Sequence, residues 1–454
     1  MPHRPPLPGR RVACAGIILA AWMVVLPAAA KLVVMHGHAE PTAATLWIQT
    51  DVTTTVTVHW RAAGEAVDRT LRLHAAKADD HAVVARLTGL APGGAVPYRV
   101  RAGRDRRDGV ARTQPSWTSP GDAPDLTIAI GSCFFAADPD ARPSKHDYGG
   151  GFEIFRTIAA KEPDLMLWLG DNLYLQPPDL VDASAMASRY RRQRAFPGLQ
   201  ALLTATNHLA IWDDHDYGPN NGNASFRLKD QTLKLFRRYW PNPDFGLPDV
   251  PGTFGIARHG DLMFFLLDDR YYRSPDHARD GPAKMMFGAR QLDWLKRALA
   301  AAPRDSIKVV AGGSQFWKRA GRFEGWHHFA TERAAFAEWL VAQRIEGVVF
   351  LSGDRHFSEL LKIERTDAYP LYEFTSSPLT SRPFVALDEA DRANPDVVPG
   401  TQVARRQFGL IRVTGPGDAR RLSLESYDGG GALLWRHEVR AIDLRFPGTR
   451  GPRA

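Results

Sequence analysis

Four apolar runs in this chain each stop on side chains able to hold a metal ion, and that recurrence constrains the fold most. In Leu165-Met166-Leu167-Trp168-Leu169-Gly170-Asp171-Asn172-Leu173-Tyr174, five consecutive apolar residues predict a strand buried on both faces, as in a covered parallel sheet. Gly170 stops the run and a carboxylate follows at once. Ligands of open α/β sheets bind beyond the carboxyl ends of strands, so Asp171 is delivered to where a site belongs. One such aspartate would read as a helix cap or turn. Similar endings recur at Ile130-Gly131-Ser132-Cys133, Ile211-Trp212-Asp213-Asp214-His215-Asp216 and Leu351-Ser352-Gly353-Asp354-Arg355-His356. Together they predict a polynuclear metal site.

The amino terminus has export grammar. Arg4, Arg10 and Arg11 precede an apolar run from Val12 to Leu26, and Ala28-Ala29-Ala30 offers small residues for cleavage before Lys31. An uncleaved anchor is the alternative reading of the run. The Arg10-Arg11 pair allows twin-arginine export, and a periplasmic or extracellular location is expected. No later segment could span a bilayer. Removal of this segment takes Cys14 with it and leaves Cys133 as the only cysteine, so no internal disulfide can form. Its place after Leu126-Thr127-Ile128-Ala129-Ile130 and a Gly-Ser turn favours a ligand over an inert core thiol. The formal charge of +8 falls to about +5 without the three arginines, and no Lys/Arg block remains. Nucleic-acid binding is thus unsupported, whereas a mildly positive surface suits phosphate esters.

With 454 residues the chain is long enough for two domains. The expected division is a signal over 1–30, a β-sandwich over 31–115, a linker over 116–124 and a catalytic domain over 125–454. In the first module Thr45-Leu46-Trp47-Ile48-Gln49 and Val56-Thr57-Val58-His59-Trp60 alternate with period two, and Tyr98 after Leu87-Thr88-Gly89-Leu90-Ala91-Pro92 resembles the tyrosine corner of immunoglobulin-like and fibronectin-like sandwiches. Beyond the linker, strands and helices alternate. Helices are predicted over 152–161, 183–194, 226–239, 289–300 and 332–344, and strands over 165–169, 262–267, 307–311 and 348–351. The chain closes on β segments at 410–413, 422–425 and 435–439. That order predicts layered α/β, with two sheets between helices.

The strand ends offer a mixed donor set. Asp171 has oxygens to bridge two cations, Tyr174 a phenolate, Cys133 a thiolate, Asp214 and Asp354 further oxygens, and His356 an imidazole. Oxygen donors suit Ca2+, Mg2+ or Mn2+, whereas imidazole with Tyr and Cys suits iron.

These motifs, with Glu373-Phe374-Thr375-Ser376-Ser377, resemble the set of the PhoD-like alkaline phosphatases of the calcineurin-like metallophosphoesterase superfamily, and also some secreted phospholipase D enzymes. The match runs in order from about Thr127 to Ser381. The resemblance implies a four-layer αββα domain behind a small all-β sandwich. It implies Fe3+ on Cys133, Asp171, Tyr174 and His356, and Ca2+ on Asp171, Asp214 and Asp354, with Mn2+, Mg2+ or Zn2+ as substitutes. Gln315 falls where relatives place another metal ligand, and Asn220 and Asn221 would line the site, Asn220 as a further donor. His215 takes the place of the histidine that protonates the leaving group. Arg270 matches a family arginine, either a phosphate contact or a structural ion pair.

The activity so implied is hydrolysis of phosphate mono- or diesters by metal-activated water or hydroxide, by a monomer acting on small esters or phospholipid head groups. A phospholipase D-like phosphodiesterase is one alternative, and a non-catalytic secreted surface-binding protein is another. No P-loop and no Gly-x-Ser-x-Gly elbow is present, which argues against nucleotide-dependent transfer and serine-esterase chemistry. Relatives often carry a carboxy-terminal helix over the site. Here Ala441-Ile442-Asp443-Leu444-Arg445-Phe446-Pro447 and a Gly/Pro/Arg tail cannot form one, which predicts a more open site.

Overall fold

A computed structural model describes residues 32–117, 122–137 and 148–448. The predicted signal segment with Cys14, residues 118–121 of the predicted linker and the extreme carboxyl terminus lie outside the described residues.

The amino-terminal part is a two-sheet sandwich. Strands β1 (Leu32–Glu40), β2 (Ala43–Thr50) and β5 (Ala82–Thr88) form one sheet in the order β1-β2-β5. Strands β4 (Arg69–Ala75), β3 (Thr54–Trp60), β6 (Ala95–Ala102) and β7 (Asp105–Arg112) form the other. Alternating residues such as Leu46, Ile48, Val56, Val58 and Val100 fill the space between them. The expected tyrosine corner is absent. The Tyr98 hydroxyl pairs with the His36 ring at 2.9 Å, across to β1, not with the nearby Leu87–Pro92 backbone. β1 and β2 also face the larger domain. The Trp47 indole donates to Arg238 O at 2.7 Å, and Gln49 Nε2 donates to the Tyr239 hydroxyl at 2.8 Å.

The larger part has two six-stranded sheets. The first has the order β10-β9-β8-β17-β18-β19, from β8 (Leu126–Gly131), β9 (Leu165–Leu169), β10 (Asn207–Ile211), β17 (Gln407–Thr414), β18 (Arg421–Asp428) and β19 (Leu433–Arg440). The second has the order β11-β12-β13-β14-β16-β15, from β11 (Gly255–His259), β12 (Leu262–Leu266), β13 (Ile307–Ala311), β14 (Val348–Ser352), β15 (Glu359–Ile363) and β16 (Leu371–Thr375). β8, β9 and β10 run parallel, as do β12, β13, β14 and β16. All five residues of β9 are buried, because alternate side chains enter different cores. Leu165, Leu167 and Leu169 join the apolar layer between the sheets, whereas Met166 and Trp168 pack outward.

Helices α1 (Ile154–Ala160), α2 (Ala183–Arg194), α3 (Gln200–Leu203), α4 (Asp214–Tyr217) and α5 (Lys229–Tyr239) lie on the first sheet's side. α6 (Ala289–Ala301) and α7 (Ala330–Ala342) pack into the core of the second, and α8 (Glu389–Arg392) is a single turn in a loop. α2 starts where the sequence predicts because Asp182 accepts the Ser184 and Ala185 N–H groups. The result is the expected helix–sheet–sheet–helix stack behind a small β-sandwich. Among the described residues no helix is long and apolar enough to cross a membrane.

Candidate metal centre

The site forms where the carboxyl ends of strands from both sheets meet. Cys133 follows β8, Asp171 follows β9, Asp214 opens α4 after β10, and Asp354 and His356 follow β14. Turns from different strands are stitched together by main-chain bonds. Cys133 N–H donates to Gly170 O at 3.3 Å, Phe134 N–H to Asp171 O at 2.8 Å, and Leu379 N–H to Ser132 O at 2.8 Å. The turns are tight. Gly170 has φ +87, and a Cβ there would lie 2.5 Å from Asp213 Cβ. Ten described non-glycine residues have positive φ, and five of them are Cys133, Asp171, Asn221, Asp354 and His356. Such conformations persist where surrounding structure over-determines them, commonly at functional sites.

Two groups of donors result, each with atoms within 4.8 Å of one another: Cys133, Asp171 and His356, and Asp171, Asp214 and His215. Asp171 belongs to both, which suits a bridging carboxylate. The Tyr174 hydroxyl lies 3.2 Å from His356 Nε2 and adds a phenol to the first group. Asp354 faces the same cleft, and its carbonyl lies 3.7 Å from Cys133 Sγ, but its carboxylate is in neither group. Asn220 lines the cleft at an exposed position, and the neighbouring Asn221 N–H donates to Asp214 Oδ2 at 2.6 Å.

The electrostatics favour cations. Burial and then the neighbouring charges of Asp214 and Cys133 raise Asp171 well above the carboxylate range. Burial and Asp214 push Asp354 up to about 6, and burial and Asp354 push the Cys133 thiol up to about 12. Burial lowers His356 to about 4, which keeps the ring neutral and able to ligate. Asp214 is the exception. Burial opposes its charge, but His215, Arg270 and the Asn221 N–H hold it below the usual range. Asp214 Oδ1 and His215 Nδ1 are buried without a hydrogen-bond partner. Orphaned buried donors beside mutually repelling acids fit bound cations.

The supporting residues were less legible. Ser377 Oγ accepts the His356 N–H at 2.9 Å and donates to Cys133 Sγ at 3.1 Å, so one hydroxyl orients two donors. Ser377 lies in a motif noticed in the sequence, yet spacing alone gives no sign of that bridge. Arg270 does not line the cleft. Wholly buried, it bonds Asp213 and Glu324 and donates to Ser314 Oγ, so of the two expectations it meets the ion pair. The Gln315 amide nitrogen donates to Glu359 and Thr375. Its Oε1 has no partner, and the residue does not line the cleft. Asp216 accepts the Asn172 and Asp213 N–H groups and so braces the turns after β9 and β10.

The cleft above these groups has a volume of about 610 Å³ and is walled by Phe135, Tyr148, Phe323 and Phe384. The last described turn, Ala441–Leu444, lies away from it, with Gly347 N–H donating to Leu444 O beside the start of β14.

The sequence profile of the PhoD-like phosphatases matches residues 140–418, and that of a "Domain of unknown function (DUF7800)" matches 32–112. No curated protein sequence matches the chain. Among solved structures, one titled "Structure of PhoD" superposes with a TM-score of 0.71 at 18% identity, covering 89% of this chain and 91% of that one. Purple acid phosphatase PPD1 from yellow lupin (Lupinus luteus) seeds gives 0.65 at 10% identity, covering 93% and 77%. At these identities the structural likeness establishes the fold.

Proposed function

The chain belongs to the PhoD-like phosphatases, and on that premise we propose that it hydrolyses phosphate esters at a two-cation centre bridged by Asp171. The observation that carries this reading is the membership of Asp171 in both donor groups. Cys133, Asp171, His356 and the Tyr174 phenol would hold one cation, and this thiolate, imidazole and phenolate set suits Fe3+. Asp171 and Asp214, with Asp354 and Asn220 nearby, would hold the other, and oxygen donors suit Ca2+. When bound, the cations supply positive charge to phosphate oxygens and lower the pKa of water.

The remaining work falls to the chain's own groups. His215 lines the cleft with its ring 4.2 Å from that of Tyr174, and its main-chain N–H holds Asp171 Oδ1 at 3.2 Å. We assign its imidazole to protonating the departing alcohol oxygen. A second reading makes His215 a ligand, because it also belongs to the Asp171–Asp214 group. Arg270 acts indirectly, holding Glu324 of the cleft wall against Asp213. The open cleft suits diesters as well as monoesters, and export belongs to the same proposal.

Nitrophenyl mono- and diesters, offered with and without chelator, test the activity. The expected result is hydrolysis of both, abolished by chelator and restored by metal. Hydrolysis indifferent to chelator, or none by metal-replete protein, would overturn the proposal.

A further inference from the structure

The cleft carries more aromatic surface than phosphate chemistry requires. Phe135 and Tyr148, with ring centroids 5.5 Å apart, stand on its walls, as do Phe323 and Phe384, which meet at 5.2 Å and 79°. Tyr148 is 37% exposed, and the three phenylalanines are only partly covered. These rings are held in fixed relation to the donors. Phe135 lies two residues beyond Cys133, and its carbonyl accepts Thr380 Oγ1 at 2.8 Å. Phe384 N–H donates to His356 O at 2.9 Å, so this ring stands on the turn that carries a candidate ligand. Phe323 is braced by the Arg355 guanidinium, 4.5 Å from its centroid.

Solvated rings at a fixed distance from a phosphate site gain by being covered, and aromatic walls favour another ring in offset or edge-on contact. The volume of about 610 Å³ suits one small molecule. Resting on the phosphoesterase reading, we propose that the cleft selects phosphate esters whose alcohol carries a flat aromatic group, with Phe384 and Phe135 as the contacting walls. A simple aryl group and a nucleobase share that chemistry.

The test compares esters that differ in the ring and not in the reacting oxygen. Holoenzyme is assayed on 2-phenylethyl, hexyl and ethyl phosphate, and on a nucleoside 5′-monophosphate against ribose 5-phosphate. The expected kcat/KM is on the order of tenfold higher for the ring-bearing member of each pair. A gain confined to one pair assigns the site to an aryl group or a nucleobase accordingly. In Phe384→Ala and Phe384→Leu the ratio should fall toward one, whatever happens to the absolute rates. Equal efficiency across wild-type pairs, a hexyl ester as good as the phenylethyl ester, or an unchanged ratio in both variants would overturn this inference alone. Turnover of no ester by the holoenzyme would overturn the proposed activity, and this inference with it.

Discussion

Replacing Gly353 by alanine should disable the site while leaving the protein folded. Gly353 sits between β14 and Asp354, and its N–H donates to Gly313 O at 2.8 Å. A Cβ there would lie 2.4 Å from Leu169 O and 2.7 Å from both Ser132 Cβ and Oγ. Ordinary contact begins near 3.4 Å, so one side must retreat by about 1 Å. Leu169 ends a hydrogen-bonded central strand and yields poorly, which leaves the 353–356 turn to move. Asp354 and His356 would then shift relative to Cys133 and Asp171. A misplacement of about 1 Å typically costs about 10²-fold in rate, and overpacking costs about 1–3 kcal/mol of stability. The assay is kcat/KM on nitrophenyl phosphate beside a urea unfolding midpoint. Gly429→Ala is the control, since its methyl would meet nothing closer than 3.8 Å. Wild-type kcat/KM in Gly353→Ala would mean that the 353–356 turn keeps its place despite the added methyl, against this expectation.

His215→Ala should keep its metals and lose about 10²–10⁴-fold on alkyl esters but much less on nitrophenyl esters, whose leaving group departs without a proton; equal losses on both would refute the acid role, and loss of metal would make His215 a ligand. Each of three buried histidines should cost stability in acid, because burial lowers His36 to about 4 and His208 and His259 to about 3. Neutral when folded, each takes up a proton on unfolding below about 6.5, so its contribution is complete above that pH and declines toward pH 3–4. Between pH 7.5 and 5 in chelator, the unfolding free energy from urea titration should fall by about 2 kcal/mol more in wild type than in His208→Gln, and equal changes in the two would contradict this.

What the sequence revealed follows from what each residue depends on. The strands at 165–169, 307–311 and 348–352 were legible because both faces are buried, and α2 because one aspartate caps it. The edge strands Gly255–His259 and Glu359–Ile363 were not, since short runs mixing polar and apolar residues carry no period. Tyr98 matched a corner motif by spacing, yet its hydroxyl partner lies 62 residues away. Arg270 was ambiguous for the same reason. Its partners Asp213 and Glu324 are 57 and 54 residues distant, and only the folded chain shows that they consume its guanidinium. The donors at strand ends were readable because the fold delivers them there by rule. The aromatic walls carry no such rule, and Phe323 and Phe384 stand in loops without a motif.

Whether two cations share Asp171 is decided by elemental analysis of purified wild type beside Asp171→Asn. The expected result is two cations in the wild type, iron together with calcium, and the loss of both along with ester hydrolysis in a variant that remains folded. A wild type that hydrolyses esters without metal, or a variant that retains both metals and normal turnover, would contradict it.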